Sequence, residues 1–134
     1  MESSHFVFTY GTLQIPEVIK LVTGQAFPSR AARLNGYQRL KIKHRTYPGI
    51  IEDPNQSIDG VLYSNVDATA LTLLDQFEDI LYERRLVNIE GAKYQAFTYV
   101  IKDEYKNRLA NEEWSLEEFK QKYLDRYLKA ISKR

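Results

Sequence analysis

The chain opens on alternating aromatic and β-branched positions. In His5-Phe6-Val7-Phe8-Thr9-Tyr10, residues Phe6, Phe8 and Tyr10 share one face and Val7 and Thr9 the other, the two-residue period of a strand. Gly11 ends this strand. Pro16 suits the first turn of a short helix and Gly24 its end. A second strand is predicted over 37–43, where Leu40 and Ile42 oppose Arg39, Lys41 and Lys43. Tyr47-Pro48-Gly49 reads as a turn and 59–66 as another strand. Asp67 is placed to cap a helix in which Ala70, Leu71, Leu74 and Phe77 recur at helical spacing. Segments 84–90 and 94–101 read as paired strands joined through Gly91. The polar stretch 102–113 reads as a loop or broken helix. At the C-terminus, Ser115 and Glu118 fit a capping box and Trp114 and Phe119 its hydrophobic staple. Leu116, Phe119, Tyr123, Tyr127 and Ile131 continue as one apolar stripe, so a helix at about 115–131 is expected to pack on the sheet. Short strands with interspersed helices predict an α+β fold, its sheet closing toward a barrel that protects its edges.

Length and composition narrow the function classes. At 134 residues the chain suits a single domain spanning 1–134. Lys and Arg total 19 against 18 Asp and Glu, so there is no general pull toward nucleic acid or anionic membrane. Cysteine is absent, which excludes disulfides, thiolate catalysis and Cys-ligated metals. The two histidines, His5 and His44, are far apart in sequence, and no metal site is expected from them. No apolar run reaches the roughly 20 residues needed to span a bilayer. Met1-Glu2-Ser3-Ser4 lacks the basic and apolar regions of a secretory signal. These features point to a soluble, cytoplasmic protein.

Three segments are candidates for chemistry. Tyr10-Gly11-Thr12-Leu13 follows the first strand, and a glycine there lets backbone approach a ligand closely. The N–H groups after it can point at an anion such as a carboxylate; an ordinary strand-to-helix turn has the same pattern. Glu78 follows the apolar ridge of the Asp67 helix by one residue. Near a helix C-terminus and close to core, both desolvation and the negative helix end would raise its pKa, suiting proton transfer near neutrality. A solvated glutamate fits the same spacing. Tyr82 and Arg84 would share a strand face, placed to bond a polar substrate or to hold Glu78. The run Arg39, Lys41, Lys43, His44, Arg45 invites a nucleic-acid reading, but its alternation with Leu40 and Ile42 is that of a half-exposed strand.

Together these segments resemble the gamma-glutamylcyclotransferase-like family, which includes gamma-glutamylamine cyclotransferases and the plant avirulence-induced-gene proteins. Phe8-Thr9-Tyr10-Gly11-Thr12-Leu13 looks like its substrate loop, with Pro16-Glu17-Val18 and Gly24 continuing the pattern. Tyr47-Pro48-Gly49-Ile50 looks like its Tyr-Pro segment and Gly60-Val61-Leu62-Tyr63 like its Gly-x-x-Tyr strand. Leu74-Asp75-Gln76-Phe77-Glu78 with Tyr82-Glu83-Arg84 looks like the region of its catalytic glutamate, which falls on Glu78. Trp114 and the helix after it resemble the C-terminal extension of the plant-like branch. The resemblance implies a small mixed β-barrel with flanking helices and a pocket between the loop and Glu78. It implies attack of a substrate α-amine on its own γ-amide, releasing 5-oxoproline and a free amine, with no metal or organic cofactor. Amides of Gly11, Thr12 and Leu13 would hold the α-carboxylate, and Tyr10, Tyr82 and Tyr99 would line the pocket, although Tyr99 also suits plain core. The partner implied is a small gamma-glutamyl compound, with no nucleic acid and no membrane. A non-catalytic binding module of the same fold is the alternative.

Overall fold

The computed structural model describes residues 4–133. The alternating first segment forms β1 (Ser4–Thr9), a 3-10 turn covers Thr12–Gln14, and α1 (Pro16–Thr23) ends at Gly24. β2 (Ser29–Ile42) and β3 (Pro48–Asp67) make one long hairpin. α2 (Ala68–Phe77), β4 (Tyr82–Asn88) and β5 (Gln95–Ile101) follow, then a 3-10 stretch over Asp103–Arg108 and β6 (Leu109–Glu113). α3 (Leu116–Lys122) and α4 (Leu124–Ser132) complete the described chain. The sheet order is β4-β5-β1-β3-β2-β6. β1 and β5 run parallel and the other neighbours antiparallel.

The sheet curls into a half-barrel, and local features explain how. Residues 53–56 of β3 stand opposite Gly36 alone, whose φ is 85°. Extra residues on one strand bend it against its partner. On the far side the Glu90 N–H, just beyond β4, reaches the Arg33 carbonyl of β2 at 3.0 Å. The curl encloses one core of strand and turn residues, including Phe8, Tyr10, Leu34, Ile50, Leu62 and Val100. A second core lies under the helices, where Val7, Tyr63 and Val66 meet Val18 and Ile19 of α1, Leu71 and Leu74 of α2 and Phe119 of α3. β1 feeds both cores because its side chains alternate.

The predicted caps form. Asp67 accepts from the Ala70 N–H at 2.7 Å and Ser115 from the Glu118 N–H at 3.2 Å. The Glu118 carboxylate does not complete the box; it turns to Lys41 at 3.0 Å and Lys122 at 3.7 Å. Four expectations change. The strand predicted over 37–43 begins at Ser29, and the turn read at Tyr47-Pro48-Gly49 instead opens β3, with Pro48 at its first residue, where a missing N–H is tolerated. Within 102–113, β6 pairs Leu109 with Ile42 and Glu113 with Leu40; a strand this polar is held by its neighbour's open edge. The C-terminal helix breaks at Tyr123, where φ is −127° and ψ −19°, so α3 and α4 are separate. Among the described residues no helix is long and apolar enough to cross a membrane.

Candidate active site

The site grows from the end of α2. Glu78 is its C-cap, donating its N–H to the Leu74 carbonyl at 3.1 Å before the chain turns extended. Helical spacing puts Asp75 on the last turn, and Asp79 starts the turn into β4. Each of these carboxylates is fixed by a tyrosine and an arginine. Asp75 accepts from the Tyr99 hydroxyl at 2.6 Å and from Arg84 at 2.7 Å. Asp79 accepts from the Tyr47 hydroxyl at 2.5 Å, the Leu81 N–H at 3.1 Å and Arg45 at 3.3 Å. Glu78 stands between them, and among the described residues no donor hydrogen-bonds its carboxylate. Burial, then Asp79, then Asp75, push its pKa from 4.5 to about 8. The Glu78 side chain keeps partial exposure because it faces a cavity, although protein surrounds it closely. The two neighbouring carboxylates supply the electrostatic part of this shift. Burial works against ionisation of Asp79, but its bonds from Tyr47, Leu81 and Arg45 outweigh this and hold its pKa low.

The cavity is about 270 Å³. One wall is the loop after β1, with Tyr10, Gly11, Thr12 and Leu13; the floor has Glu78, Asp79, Tyr82 and Tyr99. Glu78 and the six residues that the family resemblance assigns to the substrate, Tyr10, Gly11, Thr12, Leu13, Tyr82 and Tyr99, therefore border one space, whereas Arg84 does not. The loop is pinned from three sides. The Tyr63 hydroxyl donates to the Leu13 carbonyl at 2.8 Å, the Tyr10 hydroxyl to the Tyr99 carbonyl at 2.6 Å, and Thr12 Oγ1 lies 3.0 Å from the Tyr127 hydroxyl. Gln14 and Ile15 donate back to Gly11 and Thr12 at 3.1 Å. The Thr12 and Leu13 N–H groups precede these bonds and have no acceptor within the turn. A Cβ on Gly11 would lie 2.9 Å from Pro48 Cδ, so the chain that approaches this glycine closely is the Tyr47-Pro48 segment.

Several expectations shift here. Tyr82 and Arg84 do not hold Glu78: the Tyr82 hydroxyl donates to the Pro48 carbonyl and Arg84 engages Asp75. Burial above all keeps the Tyr10, Tyr82 and Tyr99 hydroxyls protonated. The basic run is spent within the fold: Lys41 pairs with Glu112 and Glu118, Lys43 with the Asn107 carbonyl and Arg45 with Asp79. The cavity also takes Tyr47, Pro48, Phe77, Tyr127 and Ile131. Of these, Tyr127 and Ile131 looked like helix stripe only; nothing local to 115–131 says that the stripe's far end meets Thr12. Asp75, Glu78 and Asp79 turn to separate surroundings, and among the described residues no group of three or more His, Asp or Glu side chains is placed to hold a metal.

A family model described as gamma-glutamyl cyclotransferase, AIG2-like, matches residues 7–116. The chain belongs to this family. Among curated relatives, AIG2-like protein C of Arabidopsis thaliana is 31% identical over 136 residues, covering 98% of this chain and 78% of the relative. AIG2-like protein D of the same plant is 32% identical over 130 residues, covering 93% and 85%. A solution structure of an Arabidopsis thaliana protein superposes with a TM-score of 0.73 at 27% identity, covering 98% of this chain and 81% of that one. A structure titled gamma-glutamyl cyclotransferase superposes at 0.65 with 22% identity over 75% of this chain and 68% of its own, a likeness of fold. The half-barrel with flanking helices is thus shared with that Arabidopsis structure and with the structure titled gamma-glutamyl cyclotransferase.

Proposed function

We propose that this family member is a cyclotransferase acting, as one cytoplasmic domain, on a gamma-glutamyl amine or amino acid. The observation that carries the proposal is Glu78, a carboxyl with a pKa near 8 and no hydrogen-bond donor, facing a cavity walled by the Gly11 loop. The substrate α-carboxylate sits at the Gly11, Thr12 and Leu13 amides. Glu78, ionised, takes a proton from the α-ammonium. The freed amine attacks the γ-carbonyl carbon, forming the ring C–N bond. The attacking nitrogen, still carrying two protons, gives one up as the tetrahedral intermediate collapses by breaking the amide C–N bond; with that proton and the one that Glu78 returns, the amine leaves as an ammonium ion and the ring nitrogen stays as a neutral lactam N–H. The products are 5-oxoproline and the free amine. Both reacting groups belong to one molecule, so folding the substrate and moving protons are the tasks of the protein. Tyr10, Tyr82 and Tyr99 shape the wall rather than transfer protons, since their hydroxyls are occupied.

The test is a screen of gamma-glutamyl compounds with 5-oxoproline release as readout, followed by Glu78→Gln. Loss of a positioned acid/base is expected to lower turnover by about 100- to 10,000-fold while binding of 5-oxoproline persists. Near-normal release by the variant, or no release from any compound by the parent protein, would sink the proposal.

A further inference from the structure

The cavity wall carries two carboxylates, Glu78 and Asp79, and no Lys or Arg. Asp79 is offset by Arg45, but with Glu78 ionised for the reaction a substrate bearing an α-carboxylate still meets net negative charge, and backbone amides offer only partial charges against it. Outside the wall Arg45 is spent on Asp79 at 3.3 Å and Arg84 on Asp75 at 2.7 Å, whereas a third cation is not held by a carboxylate. Arg39, half-buried on β2, donates from Nη1 to the Tyr10 carbonyl at 2.9 Å and to the Asp59 carbonyl at 3.2 Å. Its Cζ lies 5.7 Å from the Trp114 ring centre, and its buried Nε has no hydrogen-bond partner.

Among the described residues Arg39 forms no ion pair, whereas Arg33, Lys41, Arg45, Arg84 and Arg85 each have a carboxylate partner. Glu113 and Asp59 act on it from further away, and the Asp59 carboxylate is already taken by Arg33 at 2.9 Å. Burial draws its pKa below the ordinary guanidinium value, yet a guanidinium stays charged in proteins. Half-buried charges without a counter-ion are costly, so a position that keeps one calls for a reason.

The geometry at Tyr10 supplies it. In a trans peptide the C=O and the following N–H point in opposite directions. With the Tyr10 carbonyl held by Arg39, the Gly11 N–H is directed away from Arg39. Gly11 borders the cavity and Arg39 does not.

We propose that Arg39 is the positioning residue of the carboxylate cradle: from behind the Tyr10–Gly11 peptide it orients the Gly11 N–H toward the substrate and supplies the positive charge the wall lacks. This rests on the assignment of the Gly11 loop to the α-carboxylate. It also accounts for an unpaired cation beside a site that must admit an anion past Glu78 and Asp79.

The test uses a matched pair of probes. 5-Oxoproline and 2-pyrrolidinone share the five-membered lactam and differ by the carboxylate. Both are titrated by NMR into the parent protein, Arg39→Gln and Arg39→Lys, with thermal melting alongside. The glutamine keeps a donor for the Tyr10 carbonyl but no charge. It is expected to weaken 5-oxoproline about tenfold and leave 2-pyrrolidinone within about twofold, while lysine restores most of the preference for the anion. A glutamine variant that retains the preference overturns the proposal. So does one that loses both probes equally, the mark of a merely structural role. If Arg39→Gln does not fold, Arg39→Lys decides: a folded lysine variant without the preference overturns the proposal, and one that keeps it supports it. A parent protein that binds both probes alike would instead overturn the carboxylate assignment of the loop, and Arg39's role with it, before any variant is compared.

Discussion

Glu78 holds its proton to higher pH than an ordinary glutamate because burial strips water from the carboxylate and because Asp79 and Asp75 flank it. The two aspartates cannot relieve it by turning away, since Tyr47 with Arg45 and Tyr99 with Arg84 fix them. A carboxylate raised from 4.5 to about 8 makes the native state bind a proton that the unfolded chain has released. Stability from this group is therefore lost as pH rises from about 4.5 through about 8. Glu78→Gln should melt with the parent near pH 4 and pull ahead between those limits. Above pH 8 the gain is on the order of a few kcal/mol, since each tenfold change in proton affinity is worth about 1.4 kcal/mol. Melting curves across pH 4–9 check this, and a constant difference over that range would contradict it. On the proposed mechanism the same group sets the rate profile. kcat/KM should rise with pH along an acid limb near 8, as ionised Glu78 appears, and the limb should be absent from any residual activity of Glu78→Gln. A limb near 4.5 would mean that the carboxylate is as wet as any surface glutamate.

Elements bring these residues together through their ends. α2 delivers Glu78 as a cap, β1 delivers the loop, and β3 begins at Pro48, against which Gly11 packs. Because the Tyr82 hydroxyl bonds the Pro48 carbonyl, the loop, the Tyr47-Pro48 segment and β4 lean on one another. Gly11→Val drives its Cβ into Pro48 as well as crowding the approach to the cavity. It should lower stability by about 1–3 kcal/mol, as overpacking does, and weaken 5-oxoproline binding in the same protein. Calorimetry and melting together decide this; a drop in binding with an unchanged melting temperature would show that Pro48 yields freely. α4 adds the remaining wall through Tyr127 and Ile131, and the break at Tyr123 sets α4 as a helix separate from α3.

At the scale of the molecule, the half-barrel encloses one core and the helices cover the other, and the cavity is bordered by the loop after β1 and by Tyr127 and Ile131 of α4. Phe119 ties the C-terminal helices down. It is buried, with Trp114, Tyr123 and Tyr127 ring centres at 5.8, 6.2 and 5.3 Å. Trp114 in turn donates to the Thr46 carbonyl at 2.8 Å, just before Tyr47. Phe119→Ala is expected to cost about 3–5 kcal/mol in urea unfolding and to reduce turnover as well, because Tyr127 loses its support. A loss below about 1 kcal/mol would mean that α3 and α4 contribute little to the fold.

Local pattern alone carried the strands of β1, β4 and β5, the caps at Asp67 and Ser115, and the end of α2 at Glu78. These depend on neighbours a few residues away: side-chain alternation, a carboxylate or hydroxyl before a helical ridge, an apolar residue every third or fourth place. Resemblance to the family added the loop and the glutamate as one site. Tertiary structure decided the rest. The early half of β2 and the strand β6 are poor in branched and aromatic residues and are strands because a partner offers its edge. The pairing of Tyr47 with Asp79, Tyr99 with Asp75 and Thr12 with Tyr127 joins residues 32, 24 and 115 positions apart, beyond the reach of any periodicity. Glu78's raised pKa belongs to the same class, since spacing can place a carboxylate near a core but only the folded surroundings remove its water and fix the two charges beside it.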